Sequence, residues 1–241
     1  MIVKIPDVGI GVNYDLSPDE LLVGAWSDVQ NMRFANGYAQ KFKGLQQVFA
    51  DTTVSAYYLT HFETGNSKFW IHAGTAKVFA DDGTTRTEIT PVAPLTGGID
   101  DRWGGGVLGG VLVMNNGIDQ PQFWGGNPAN KLATLTGWNS AWRANVVVPF
   151  KSYLVALNIL KTSTRFSSMV KWSHSAVPGA IPTSWDEADV TKDAGEQDLA
   201  ETTDALVDAL PLGDSLILYK ERSMYSMAFI GQPFIWRFQR I

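Results

Sequence analysis

The sequence predicts an all-β protein built from repeated hairpins, and three observations carry that prediction. Composition is the first: 23 glycines, 11 prolines and 12% aromatic residues among 241 favour strands and tight turns over helices. Turn chemistry is the second, because Asn36-Gly37 and Asp82-Gly83 each separate two short runs of strand-forming residues, the pattern of a tight hairpin turn. Spacing is the third. "FWIHAG" from Phe69, "VLVMNNG" from Val111 and "YLVALNI" from Tyr153 start 42 residues apart, and "SLILYKERSMYSMAFIG" follows from Ser215, 62 residues further on. That period falls within the ~40 to 45 residues of a four-stranded propeller blade. The expected architecture is therefore propeller-like repeats of β-hairpins, about four blade-like units. A β-sandwich with a turn every ~8 to 12 residues is the competing all-β reading.

In chain order, residues 1–50 read as an N-terminal hairpin or assembly segment and 51–241 as the propeller-like domain. Ser17-Pro18-Asp19-Glu20 has the Ser-x-x-Glu spacing of a capping box with Pro at the first helical position, so a helical turn or two ending at Gly24 is predicted. Asn36-Gly37 then joins "NMRFA" to "YAQKF" as a hairpin. Phe34 falls on one face of it and Tyr38 and Phe42 on the other, so both faces are expected to be covered. Further on, Asp82-Gly83 and Gly231-Gln232-Pro233 mark hairpins inside the first and last units. The extra length before the last unit is an acidic insertion around 176–214. Nine acids lie between Asp186 and Asp208, against the single base Lys192.

The net charge of −5 argues against wrapping duplex DNA, which needs clustered Lys and Arg. The absence of cysteine excludes disulfides and thiolate metal sites. The opening "MIVKIPDVGIGV" lacks the apolar core of a signal peptide, and the uncharged run Trp103 to Ile118 is too short to span a bilayer; a soluble protein is expected.

Gly104-Gly105-Gly106-Val107-Leu108-Gly109 fits G-x-G-x-x-G, but it leads into a strand rather than a helix, so a closely approached strand is expected instead of a nucleotide site. His61, His72 and His174 lack the i, i+4 spacing of a helical zinc site. Asp81-Asp82 and Asp100-Asp101 are paired carboxylates, and turn chemistry accounts for the first pair. Neither pair singles out an acid and a nucleophile for glycoside hydrolysis. No catalytic group, metal or cofactor is predicted.

The stretch "GIGVNYDLSPDELLVGAWSDVQNMRFANGYAQKFKGLQQVF" resembles the N-terminal region of tail tube, or nozzle, proteins of short-tailed bacteriophages and of the related packaged-DNA stabilisation proteins. The features that carry the resemblance are Gly9 and Ile10, Pro18, Asn31, Gly37 and Tyr38, and Lys41 to Gly44. "LGDSLILYKERSMYSM" is similar to a turn and strand of the same group. Members are usually longer than 241 residues and "PFIWRFQRI" stops on a strand, so the chain is expected to be an N-terminal portion.

The resemblance implies a virion protein of the phage tail, assembled in the host cytoplasm into a homo-oligomeric ring, typically sixfold. It would touch adaptor and portal-side proteins and tail fibres, retain packaged DNA and conduct it on ejection, with no small-molecule substrate. Trp26, Arg33, Phe34, Tyr38, Lys41, Phe42 and Lys43 are the candidate inter-subunit contacts. Asp186, Glu187, Asp189, Asp193, Asp81 and Asp82, with Asp100 and Asp101 beside them, are the candidate channel-facing acids. An acidic lining would let DNA slide, whereas Lys and Arg would hold it. The alternative is a carbohydrate-binding or carbohydrate-cleaving propeller, for which Trp103, Trp124, Trp138, Trp142 and Trp185 could stack on sugar rings.

Overall fold

A computed structural model describes residues 8–42, 44, 46, 47, 49 and 54–241. The protein is all-β: among these residues there is no helix, and the strands form six small sheets. The chain divides into two compact units, 1–50 and 51–241.

In the first unit, β1 (Gly11–Val12) and β2 (Ala25–Trp26) form a short parallel pair, and β3 (Met32–Ala35) and β4 (Tyr38–Lys41) form the predicted hairpin. Asn36 and Gly37 adopt φ of 53° and 77°, the two left-handed residues that a type I′ turn requires. The turn is also a packing point, since a Cβ on Gly9 would overlap the main chain of Gly37. Phe34 lies 6.4 Å from the Trp26 ring, and the Trp26 indole N–H donates to Val8 O at 2.9 Å. Tyr38 and Phe42 on the opposite face are 73% and 56% exposed. The expectation that both faces are covered is therefore met on one face only.

The predicted helix is absent. Ser17 to Glu20 make one hydrogen-bonded turn, with the Glu20 N–H donating to Ser17 O at 2.9 Å. The Ser17 hydroxyl donates to the Glu20 carboxylate at 3.1 Å. A helix this short fixes several residues for very few hydrogen bonds. Leu22 and Val23, each 71% exposed, bury nothing that would offset the cost.

The second unit holds four four-stranded antiparallel sheets, each made of four consecutive strands. The first contains β5 (Tyr58–Thr64), β6 (Ser67–Ala73), β7 (Val78–Asp81) and β8 (Arg86–Glu88). The second contains β9 (Gly104–Leu108), β10 (Val111–Asn115), β11 (Gln122–Trp124) and β12 (Ala133–Thr134). The third contains β13 (Trp142–Phe150), β14 (Tyr153–Lys161), β15 (Thr164–Trp172) and β16 (Gly195–Asp198). The fourth contains β17 (Leu206–Leu212), β18 (Ser215–Lys220), β19 (Met224–Phe229) and β20 (Trp236–Arg240). The four repeated apolar runs fall on β6, β10, β14 and β18, the second strand of each sheet.

Those second strands read as continuous apolar runs because most of them are buried on both faces. Leu112 and Met114 of β10 point into a core with Phe62, Phe69 and Ile71 of the first sheet, while Val113 points the other way, into a core with Val147, Leu154 and Ile159 of the third. On β14, Leu154 and Ala156 face the second sheet, and Val155 and Leu157 join Leu206, Leu216, Leu218 and Tyr225 of the fourth. Each pair of neighbouring sheets thus shares one core, and strand alternation feeds two cores from one strand.

The glycine run forms β9, as predicted. A Cβ on Gly105, whose φ is 134°, would run into Val113 O, so the run is there for close approach and leads into no helix. The stretch expected as an insertion over 176–214 contains two strands, β16 and β17. Only the connection 173–194 is irregular extra length. Acidic residues are poor strand formers, which hides the edge strand Gly195–Asp198 in the sequence.

Candidate functional site

In the first unit, the exposed side of the hairpin presents Arg33 and Gln40 as cross-strand partners, followed along the strands by Tyr38 and Phe42. Arg33, Gln40, Lys41 and Phe42 line a shallow recess of about 390 Å³. Of the candidate contact residues, Arg33, Tyr38, Lys41 and Phe42 are exposed. Trp26 and Phe34 pack on each other, and Lys43 lies outside the described residues.

The six candidate channel-facing acids of the second unit make local contacts. Asp82 caps its turn by accepting from the N–H groups of Thr84 and Thr85 at 2.8 and 2.7 Å, which hold its carboxyl below the ordinary value. Asp81 is 5% exposed and pairs with Arg86 at 3.3 Å. Asp186 and Asp189 close turns on the N–H groups of Ala188 and Thr191.

Asp193 is a junction. Its carboxylate accepts from Ser175 at 3.0 Å, Tyr153 at 3.4 Å and Gln232 at 3.4 Å, and its N–H donates to His174 Nδ1 at 3.1 Å. Burial raises the Tyr153 phenol above its ordinary value, and the Asp193 charge raises it further.

Glu187 pairs with Lys171, whose side chain is fully buried. Lys171 also donates to Glu196 at 3.0 Å, and Lys161 donates to the same carboxylate at 2.7 Å. Burial pushes the Glu187 carboxyl up, but the hydrogen bond and charge of Lys171 outweigh that, and it lies below the ordinary range. Much of the acidic stretch is thus engaged in holding the connection 173–194 and β16 to the third sheet.

Asp204 shows the same use of charge. Buried Lys220 donates to Leu199 O, Thr202 O and the Thr202 hydroxyl at 2.9, 2.8 and 2.7 Å, and it lies 3.6 Å from Asp204. Hydrogen bonding from Thr202 foremost, then from the Arg222 N–H and Ser223, holds the Asp204 carboxyl far below its ordinary value against the opposing effect of burial. A carboxyl depressed in the folded state stabilises fully above its unfolded pKa of about 4, and that stabilisation fades as pH falls towards the lowered value. Wild-type urea midpoints should therefore drop more steeply below about pH 4 than those of Asp204→Asn. Parallel midpoints for the two proteins would refute this.

A concavity of about 800 Å³ lies along the first strands of the last three sheets. Its wall includes Gly104, Gly105 and Gly106 of β9, Asn145 and Val146 of β13, and Asp208 and Leu210 of β17, with Asp100, Arg102, Trp103 and Asn115 beside them. None of the six candidate channel-facing acids belongs to that wall. Asp100 and Asp101, noted beside them, do. Trp124, Trp138 and Trp185 are buried in the cores, and the Trp142 ring lies under the ammonium groups of Lys161 and Lys171 at 4.7 and 5.1 Å. Trp103 alone among the five tryptophans proposed for stacking lines the concavity. The sequence signal for this wall was the glycine run, which brings main chain instead of side chains to the surface.

Among the described residues, no group of three or more His, Asp or Glu is placed to hold a metal ion. No protein-family model matches the chain, and no characterised protein matches it significantly. The class that the fold defines is an all-β protein with four consecutive antiparallel sheets joined by shared cores.

Proposed function

We propose that the chain is a structural subunit of a phage tail nozzle, in which the four sheets act as blades of a propeller-like array and copies assemble into a ring, sixfold by resemblance. The observation that carries this reading is the repeat: four consecutive four-stranded meanders, with β9 lying against β13 and β13 against β17, and an apolar core between each neighbouring pair. In this reading the chain has no catalytic group and acts through its shape, retaining packaged DNA and conducting it on ejection. Tail adaptor proteins, portal-side proteins and fibres are its neighbours in the virion.

Two surfaces support assembly. The exposed hairpin face combines Tyr38 and Phe42 with Arg33, an aromatic and arginine combination enriched where interfaces concentrate their binding energy. On the fourth sheet, Leu212 and Met224 are 68% and 43% exposed, apolar area that a neighbouring subunit would cover. An overall acidic ring suits passage of DNA, whose phosphates would be held by a basic wall.

Light scattering and negative-stain imaging of the purified chain test the reading. Rings are expected, and the pair Arg33→Ala with Lys41→Ala should weaken their formation roughly tenfold or more. A chain that stays monomeric at all concentrations, or a ring with a continuous basic lumen, would overturn the conduit.

A further inference from the structure

We infer that the concavity along β9, β13 and β17 is a binding site for a neutral sugar, either free or as the terminal residue of a longer glycan. Its volume of about 800 Å³ is within the ~300 to 1,000 Å³ of small-molecule pockets. The wall combines an aromatic plate, main-chain edges and planar polar side chains, which suits a ring with one apolar face and hydroxyls around its rim.

Trp103 is the plate. It packs on one side against the core shared by the first two sheets, and its indole N–H donates to Gly74 O at 3.1 Å, so the ring is held in place before any ligand arrives. Such preorganisation lowers the ordering cost of binding. The glycines of β9 add no side chains, and β9, β13 and β17 are each the edge strand of their sheet. Main-chain donors and acceptors without ladder partners therefore come to the wall.

Asn115 braces the wall from behind. It is 2% exposed, and its amide nitrogen donates to Ala144 O at 3.0 Å and Asn145 O at 3.2 Å. Those two carbonyls settle the orientation of the amide, and its Oδ1 is buried with no exposed surface, so Asn115 fixes β10 against β13 and holds the wall in shape.

On the same wall, the Asp100 carboxylate, the Asn145 amide and the Arg102 guanidinium make no side-chain hydrogen bond within the described residues. Asp208 uses one oxygen, on the Ala209 N–H at 2.8 Å. Acceptors and donors are both present, as a hydroxyl needs, since it gives one hydrogen and accepts others. Asp100, Asp101 and Asp208 against Arg102 leave the wall acidic, which disfavours phosphorylated or carboxylated ligands and selects a neutral one.

The site lies within one chain and does not rest on ring assembly, so either reading can fail while the other stands. Isothermal titration of the full chain with lactose, maltose and N-acetylglucosamine tests it. Saturable binding of at least one, roughly millimolar, is expected, and Trp103→Ala should weaken it about tenfold. Asn145 and Asp208 are exposed, so Asn145→Ala with Asp208→Asn should melt like the wild type yet lose most of the affinity. This pair decides the matter should Trp103→Ala fail to fold. No saturable heat with any of the three sugars, or wild-type affinity in the folded double variant, would overturn the site.

Discussion

Trp124→Ala should destabilise the second unit by about 4 kcal/mol, the upper part of the range for a buried aromatic, and lower the thermal midpoint by roughly 10 °C. Trp124 is 1% exposed and sits where the first two sheets meet, with its ring 5.7 Å from Phe62 and 5.1 Å from Phe69. Its indole N–H is shared between Asn127 O at 3.1 Å and Asn130 O at 3.0 Å. The substitution therefore removes the filling of one inter-sheet core and leaves Asn130 O without the indole donor, while Asn127 O keeps the Asn130 N–H. The conservative Trp124→Phe keeps most of the volume and loses the hydrogen bonds, so it should cost about half as much. Chemical denaturation of the three proteins checks the order, and a Trp124→Ala protein that unfolds with the wild type would refute the shared core.

Lys171→Ala is the second large effect, at about 3 kcal/mol. The Lys171 ammonium is fully buried between Glu187 and Glu196, and its loss leaves Glu196, whose side chain is 23% exposed, with Lys161 alone. A stranded, partly buried carboxylate is what makes such deletions costly, whereas removing all the charges together is often close to neutral. Lys171→Met combined with Lys161→Met, Glu187→Gln and Glu196→Gln, which removes every charge of the cluster, should accordingly recover more than half of the lost stability. Glu187→Gln alone, at a side chain 37% exposed, should cost about 1 kcal/mol or less. The same variants read out the connection 173–194, because Glu187 is one of its ties to the third sheet. Limited proteolysis there should accelerate in Lys171→Ala. Wild-type melting and wild-type cleavage in that variant would show the cluster to be energetically idle.

How much of this was readable in advance depends on the range of the interaction. The Asn36-Gly37 hairpin and the Asp82-Gly83 turn were legible because left-handed φ preferences and side-chain carboxylates act over a few residues. The runs from Phe69, Val111, Tyr153 and Ser215 were legible as strands because burial on both faces leaves an unbroken apolar signature. The capping box misled, since its local pattern was correct and the tertiary contacts that stabilise a short helix were missing. Strand β16 was hidden by Gly195, Glu196 and Asp198, which look like loop residues until Lys161 and Lys171 are seen across from Glu196.

The acids show the limit most plainly. Asp186, Glu187, Asp189 and Asp193 look alike in the sequence, yet two close turns, one meets a buried lysine and one joins three hydroxyl or amide donors. Asp208 appeared only as one more member of the acidic run, and it lines the concavity.

The apolar strands, the turn types and the repeat were determined by the sequence alone, because each is set by backbone preference and alternation within about ten residues. Which charges are spent on lysines, which tryptophan faces a pocket and which strand edges share a wall were decided only by the tertiary structure. Those outcomes depend on sheet faces contributed by residues far apart in the chain, and their meeting is governed by side-chain packing that no local pattern encodes.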